Sequence, residues 1–164
     1  MTEVYLLRHG IAVPSGTPDF ADDERPLTPK GEKQMRKIAR RLRRLDLRLD
    51  RIVTSPLPRA LKTAEIVAEA LGMSDRLKTA DALRAERDAA SIRDWLQTRT
   101  EPRLMLVGHN PSLTDLIGLL ITDDRHPVAC ELRKGGIAAL CNPDDRGLRL
   151  DWLATPRLLR LLRD

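Results

Sequence analysis

Val4-Tyr5-Leu6-Leu7-Arg8-His9-Gly10 carries the pattern that decides the fold: four apolar residues in a row, then a cation, an imidazole and a glycine. Apolar residues at consecutive positions suit a strand buried on both faces, and such strands belong to parallel sheets covered by helices on either side. The pattern recurs twice. Arg51-Ile52-Val53-Thr54 is followed by Ser55-Pro56, and Leu104-Met105-Leu106-Val107 by Gly108-His109-Asn110-Pro111.

Helical periodicities lie between these runs. Met35, Ile38, Ala39, Leu42 and Leu45 follow Thr28-Pro29. Ala60, Ala64, Val67, Ala68 and Leu71 follow Ser55-Pro56 and stop at Gly72, and Leu113, Leu116, Ile117 and Leu120 follow Asn110-Pro111. A capping residue and then proline reads as N-cap and first helical position in all three. A shorter helix is expected at 88–98, strands at 136–140 and 148–152, and a tail helix from Pro156 capped by Thr155. The alternation predicts an α/β fold: a three-layer sandwich with a mostly parallel central sheet flanked by helices, one domain over residues 1–164.

Composition narrows the function classes. The chain has 164 residues, 41% hydrophobic and 32% charged. That length buries about 68–70% of the unfolded surface without disulfides or a structural metal. No apolar run approaches the ~20 residues of a bilayer span, and no leader-like start is present, so a cytoplasmic protein without membrane contact is expected. The net charge of +5 arises from 23 Arg and 6 Lys against 24 acids, which fits either a coding bias or anionic ligands. With four aromatics (Tyr5, Phe20, Trp95 and Trp152) there is no stacking platform for nucleic acid. Cys130 and Cys141 lack metal or redox spacing and are expected to be reduced and buried. Neither a metal nor a cofactor is expected, His126 beside Pro127 suits a surface loop, and nothing demands more than a monomer or weak dimer.

Two segments have open readings. Residues 10–27 hold Pro14, Gly16, Pro18, Pro26 and the acids Asp19, Asp22, Asp23 and Glu24; so long a loop either borders a site, as a lid, or is a surface excursion. The outer face of the first helix carries Lys33, Arg36, Lys37, Arg40, Arg41, Arg43 and Arg44, either a solvated face or a surface that steers anions.

In an open α/β sheet, ligands bind beyond the carboxyl ends of the strands. If the three apolar strands are neighbours, Arg8, His9, Ser55, Arg59, His109 and Asn110 converge there. Guanidinium forks match phosphate oxygens bidentately, and helix N-termini favour anions. A neutral imidazole can take up a phosphoryl group covalently, and a second, protonated one can stabilise its charge.

Leu7-Arg8-His9-Gly10 resembles the Arg-His-Gly signature of the histidine phosphatase superfamily, which also contains the cofactor-dependent phosphoglycerate mutases. Arg25-Pro26-Leu27-Thr28 with Gly31, Thr54-Ser55-Pro56 with Arg59-Ala60 and Thr63-Ala64, and Val107-Gly108-His109-Asn110-Pro111 continue the match in family order. The short length and the Arg-Pro-Leu-Thr block resemble the SixA-type phosphohistidine phosphatases.

The resemblance implies that His9 is the phosphorylated nucleophile, that Arg8 and Arg59 hold the phosphate oxygens, and that His109 donates to the phosphoryl group. Asn110 and Ser55 would assist substrate binding. Arg25 either swings toward the pocket or pins the loop through an acidic neighbour. Glu86 is the candidate general acid, or else an exposed helix-start residue. The expected substrate is phosphohistidine on a protein. The alternatives are a small phosphomonoester hydrolysed with Glu86 as acid, or a non-catalytic phosphate-binding module. Mutase activity is disfavoured by the short chain.

Overall fold

The computed structural model describes residues 1–122, 130–144 and 147–162; His126 and its expected surface loop lie outside them. The chain runs β1 (Glu3–Arg8), α1 (Pro29–Leu42), β2 (Arg51–Thr54), α2 (Pro58–Leu71), β3 (Leu77–Thr79), α3 (Ala89–Gln97), β4 (Arg103–Gly108), α4 (Ser112–Thr122), β5 (Ile137–Cys141), β6 (Arg149–Ala154) and α5 (Pro156–Leu161). The six strands form one sheet in the order β3-β2-β4-β1-β5-β6. Strands β3, β2, β4 and β1 are parallel to one another; β5 pairs antiparallel with β1, and β6 antiparallel with β5.

Strand periodicity sorts the core into two layers. Tyr5, Leu7, Ile52, Met105, Val107 and Ile137 face α1, α2 and α5. Their neighbours Val4, Leu6, Val53, Leu104, Leu106 and Ala138 face α3 and α4. Both faces are covered, which is why the strands read as unbroken apolar runs and why the molecule is a three-layer α/β sandwich with a mostly parallel sheet. No helix among the described residues is long and apolar enough to cross a membrane.

The capping signals are met at Thr28, whose hydroxyl accepts from Gly31 N, and at Thr155, which accepts from Leu158 N. Gly31 has a second duty: a Cβ there would stand 2.0 Å from the carbonyl oxygen of Ile11, so only glycine lets α1 start against the loop after β1.

Three expectations need correction, and one strand was not anticipated. Helix α2 starts at Pro58 rather than Pro56, because the second proline holds Leu57 extended at the N-cap. Helix α4 starts at Ser112, just past the cis Asn110–Pro111 bond. Strand β3 has one apolar residue, half-buried Leu77, at the sheet edge, and so escapes a search for apolar runs. Cys130 and Cys141 are half-buried rather than fully enclosed.

Candidate active site

Sheet register builds the site. Arg8 on β1 pairs with Gly108 on β4, so the next residues, His9 and His109, leave two adjacent strands side by side. Thr54 on β2 pairs with Val107, which puts Ser55 on the other flank of His109. Neighbouring strands lie about 4.8 Å apart, and the imidazole centroids lie 5.1 Å apart with a 54° tilt. Both rings are buried, at 6% and 3% exposure.

Each histidine is oriented by a partner. His9 Nδ1 lies 2.7 Å from the carbonyl oxygen of Gly10. A carbonyl only accepts, so Nδ1 carries the proton and Nε2 keeps a free lone pair. His109 Nε2 lies 2.9 Å from Ser55 Oγ, while its Nδ1 is buried without a protein partner. Desolvation by burial, followed by His109, Arg59 and Arg8, lowers His9 to a pKa of about 3 against one favourable bond from Gly10. Burial, then Arg59, Arg8 and Arg25, lowers His109 to about 3. The pocket is therefore cationic through its guanidinium groups, with both rings neutral at pH 7.

Arg8 ends β1, and its NH1 donates to the Leu132 carbonyl at 3.1 Å. Arg59, in the first turn of α2 and 2% exposed, donates from NH1 to the Asp22 carbonyl at 2.9 Å. Burial weakens the proton affinity of both. Six buried side-chain polar atoms among the described residues have no hydrogen-bond partner. Four belong to this site: Arg8 Nε, Arg59 Nε, His109 Nδ1 and Asn110 Oδ1. Three of the four are nitrogens able to donate, as a bound oxyanion requires. No three His, Cys, Asp or Glu side chains among the described residues cluster to hold a metal ion.

The remaining candidates separate. Ser55 is fully buried; its Oγ accepts from Leu57 N and meets His109, so it orients that ring rather than touching a substrate. Asn110 Nδ2 donates to the Leu132 carbonyl, the same oxygen that Arg8 holds, which makes Asn110 a clamp on that segment. Arg25 takes the second of its two readings: it binds the Val13 carbonyl at 2.8 Å and the Asp22 carboxylate at 2.9 Å, and so pins the loop. Glu86 is exposed, and its charge neighbour is Arg84. The 10–27 loop is tied at its base by the Ala12–Leu27 bridge and at Asp22 to Arg59, so it borders the site.

Three contributors were absent from the sequence reading as site residues. Thr63 Oγ1 donates to the Arg59 carbonyl at 2.7 Å and accepts from Gly10 N at 3.0 Å, joining α2 to the nucleophile's loop. Asp22 supplies the carbonyl that holds Arg59. Lys134 loses proton affinity through desolvation and then through Arg8, Arg25 and Arg59, so its ammonium shares the site's field. The Arg133-Lys134-Gly135-Gly136 run ahead of β5 was the available signal for Lys134.

The sequence pattern of the histidine phosphatase superfamily (branch 1) matches residues 4–101. An uncharacterised protein of Picosynechococcus sp. is 43% identical over 115 residues, 68% of each chain. Phosphohistidine phosphatase SixA of Escherichia coli is 23% identical over 164 residues, 98% of each chain. Among solved structures, the protein histidine phosphatase SixA complexed with tungstate has a TM-score of 0.81 at 23% identity, covering 94% of this chain and 97% of that one. Native mycobacterial glucosyl-3-phosphoglycerate phosphatase has a TM-score of 0.70 at 19% identity, with 94% and 99% covered; both likenesses speak for the fold. Because the family pattern takes in Arg8, His9 and Arg59 and spans more than half of the sequence, this chain belongs to the histidine phosphatase superfamily, branch 1, and is by class a phosphatase.

Proposed function

We propose that the chain hydrolyses phosphohistidine on a protein through a covalent phosphohistidine on His9. The observation that carries this reading is the unprotonated Nε2 of His9, set beside His109 and in the field of Arg8 and Arg59, whose Nε atoms are unpartnered. His9 Nε2 attacks phosphorus, the phosphorus–nitrogen bond to the substrate imidazole breaks, and that imidazole departs with the pair of electrons. Water then attacks the His9 phosphoryl group, releasing inorganic phosphate and restoring the ring. Arg8 and Arg59 hold the equatorial oxygens, and the arriving negative charge favours a proton on His109, whose Nδ1 donates to the phosphoryl group.

The leaving group selects the substrate. An alkoxide is a strong base and needs an acid positioned at its oxygen. A phosphohistidine protonated on its other ring nitrogen leaves as neutral imidazole, whose conjugate acid has a pKa of about 6.5, so it requires far less help. The exposed side chain of Glu86, with Arg84 as its charge neighbour, supports this choice over alkyl phosphates. Whole-length similarity to SixA of Escherichia coli, named as a phosphohistidine phosphatase, also supports it.

Rapid quench after mixing with labelled phosphohistidine should give acid-labile phosphate on His9. His9→Ala should lose turnover by about 10⁴-fold or more, the scale for removal of a nucleophile. Turnover by His9→Ala at the parent's rate would overturn the assignment.

A further inference from the structure

Helix α5 starts beside the pocket, because β6 runs parallel to β1 and ends at the same edge of the sheet. It descends against α1, whose first turn also starts there. Two hollows follow this seam. One, of about 400 Å³, is lined by Arg8 of the pocket together with Lys134, Arg157 and Arg160. The next, of about 280 Å³, has only basic residues in its lining, among them Lys37, Arg40 and again Arg160. Arg160 belongs to both, so the positive surface is continuous from the phosphate site onto α1. Lys37, Arg40, Arg157 and Lys134 form no ion pair among the described residues. Among the described residues, Glu131 lines the first hollow and Glu32 a neighbouring one that it shares with Lys37 and Arg40; each is paired, with Arg133 at 3.1 Å and Arg36 at 2.8 Å.

We propose that this seam is a docking surface for an acidic protein, which presents its phosphohistidine to Arg8 and His9 while its carboxylates lie against Lys134, Arg157, Lys37 and Arg40. The proposal rests on the phosphohistidine reading above and names the partner's chemistry. Charge complementarity and continuity with the pocket carry it. Unpaired cations on a surface gain little until an opposite field arrives, and then they raise the association rate and set orientation. A protein is favoured over nucleic acid for two reasons. Glu131 lies in the track and Glu32 at its margin, which a uniformly anionic backbone would have to pass and a mixed-sign protein surface tolerates. The track also leads to a pocket for one terminal phosphoryl group, which a protein carrying a single phosphohistidine supplies.

The test compares two substrates: an acidic helical protein carrying one exposed histidine phosphorylated with phosphoramidate, and free phosphohistidine. Neither Lys37, Arg40 nor Arg157 belongs to the catalytic machinery. The triple variant Lys37→Glu/Arg40→Glu/Arg157→Glu should raise KM for the protein by about tenfold or more with kcat little changed, while kcat/KM for free phosphohistidine stays within twofold. The parent's kcat/KM on the protein should fall steeply between 50 and 300 mM salt, in the manner of roughly Debye-screened steering. Unchanged kinetics of the triple variant on the protein, or equal losses on both substrates, overturns the docking surface. Turnover of neither substrate by the parent instead overturns the function. In that case, binding of the unphosphorylated acidic protein, measured by calorimetry and lost in the triple variant, still sustains the docking surface. Competition by a short DNA duplex as strong as that by the acidic protein would overturn the choice of partner.

Discussion

The two halves of the sheet divide the work. The parallel half, β3-β2-β4-β1, supplies Ser55, His109, Arg8 and His9 from successive strand ends. The antiparallel side contributes backbone. The segment entering β5 gives the Leu132 carbonyl that binds Arg8 and Asn110, and the Gly135 N–H that bonds the carbonyls of Arg8 and His9. Gly135 has φ +78°, and a Cβ there would stand 3.0 Å from Met35 Sδ, so glycine makes that approach possible. The difference teaches that the reacting side chains come from one half of the sheet, while the other half serves them chiefly through peptide groups that position them.

Cutting into the parallel half should cost most. Arg59→Ala and Arg8→Ala should each lower kcat/KM by about 10²–10³-fold, the range for losing one preorganised donor to a developing charge. Replacement by lysine should recover only a small part, because a point charge lacks the fork. Steady-state rates with free phosphohistidine read this, and equal rates for Arg8→Lys and parent would break the division of labour.

The same half should make stability depend on pH. Both imidazoles sit near a pKa of 3 when folded, against about 6.5 unfolded. As pH falls below about 6.5 the unfolded chain takes up protons that the folded chain refuses, so stability is lost between about pH 6.5 and 3. Urea midpoints at pH 7 and 5 should show a smaller acid loss for His109→Gln than for the parent, by about 1–2 kcal/mol. Saturating phosphate or tungstate should reduce the parent's loss, since a bound oxyanion favours the charged ring.

The backbone side should yield a milder effect. Asn110→Ala frees the Leu132 carbonyl from one of its two donors while leaving Arg8 in place. A loss of about tenfold in kcat, with stability lower by about 1 kcal/mol, is expected for one lost bond. A loss as large as that of Arg8→Ala would mean that Asn110 contacts the phosphoryl group itself.

This division also explains what could be read from the sequence. Strands buried on both faces leave unbroken apolar runs, so β1, β2 and β4 and the residues after them were legible, including the convergence of His9, His109, Arg8 and Arg59. Strand β3, with Leu77 as its one apolar residue, left no such trace. Leu132 acts through a carbonyl that every residue possesses, so its identity carries no signal. Asp22 was visible as an acid, yet it holds Arg59 through its backbone while its carboxylate serves Ser15 and Arg25. The proline pairs located the helix starts to within two residues; the shift at α2 arose because Pro56 and Pro58 compete for one role.

Glu86→Gln is the smallest expected change and the sharpest check on where the acid chemistry comes from. Glu86 lies after the Asp81–Leu83 turn that follows β3, an edge strand of the parallel half, and its side chain is exposed. A general acid must come within hydrogen-bond reach of the leaving atom, and proton transfer from such a group is worth about 10²–10⁴-fold. If the leaving imidazole needs no acid from the protein, Glu86→Gln should keep kcat on phosphohistidine within twofold and leave its pH profile unmoved. A loss above 10²-fold on p-nitrophenyl phosphate or a sugar phosphate, with phosphohistidine spared, would show that the β3 edge swings in for ester substrates. The parallel half would then supply leaving-group protonation as well as the phosphate clamp.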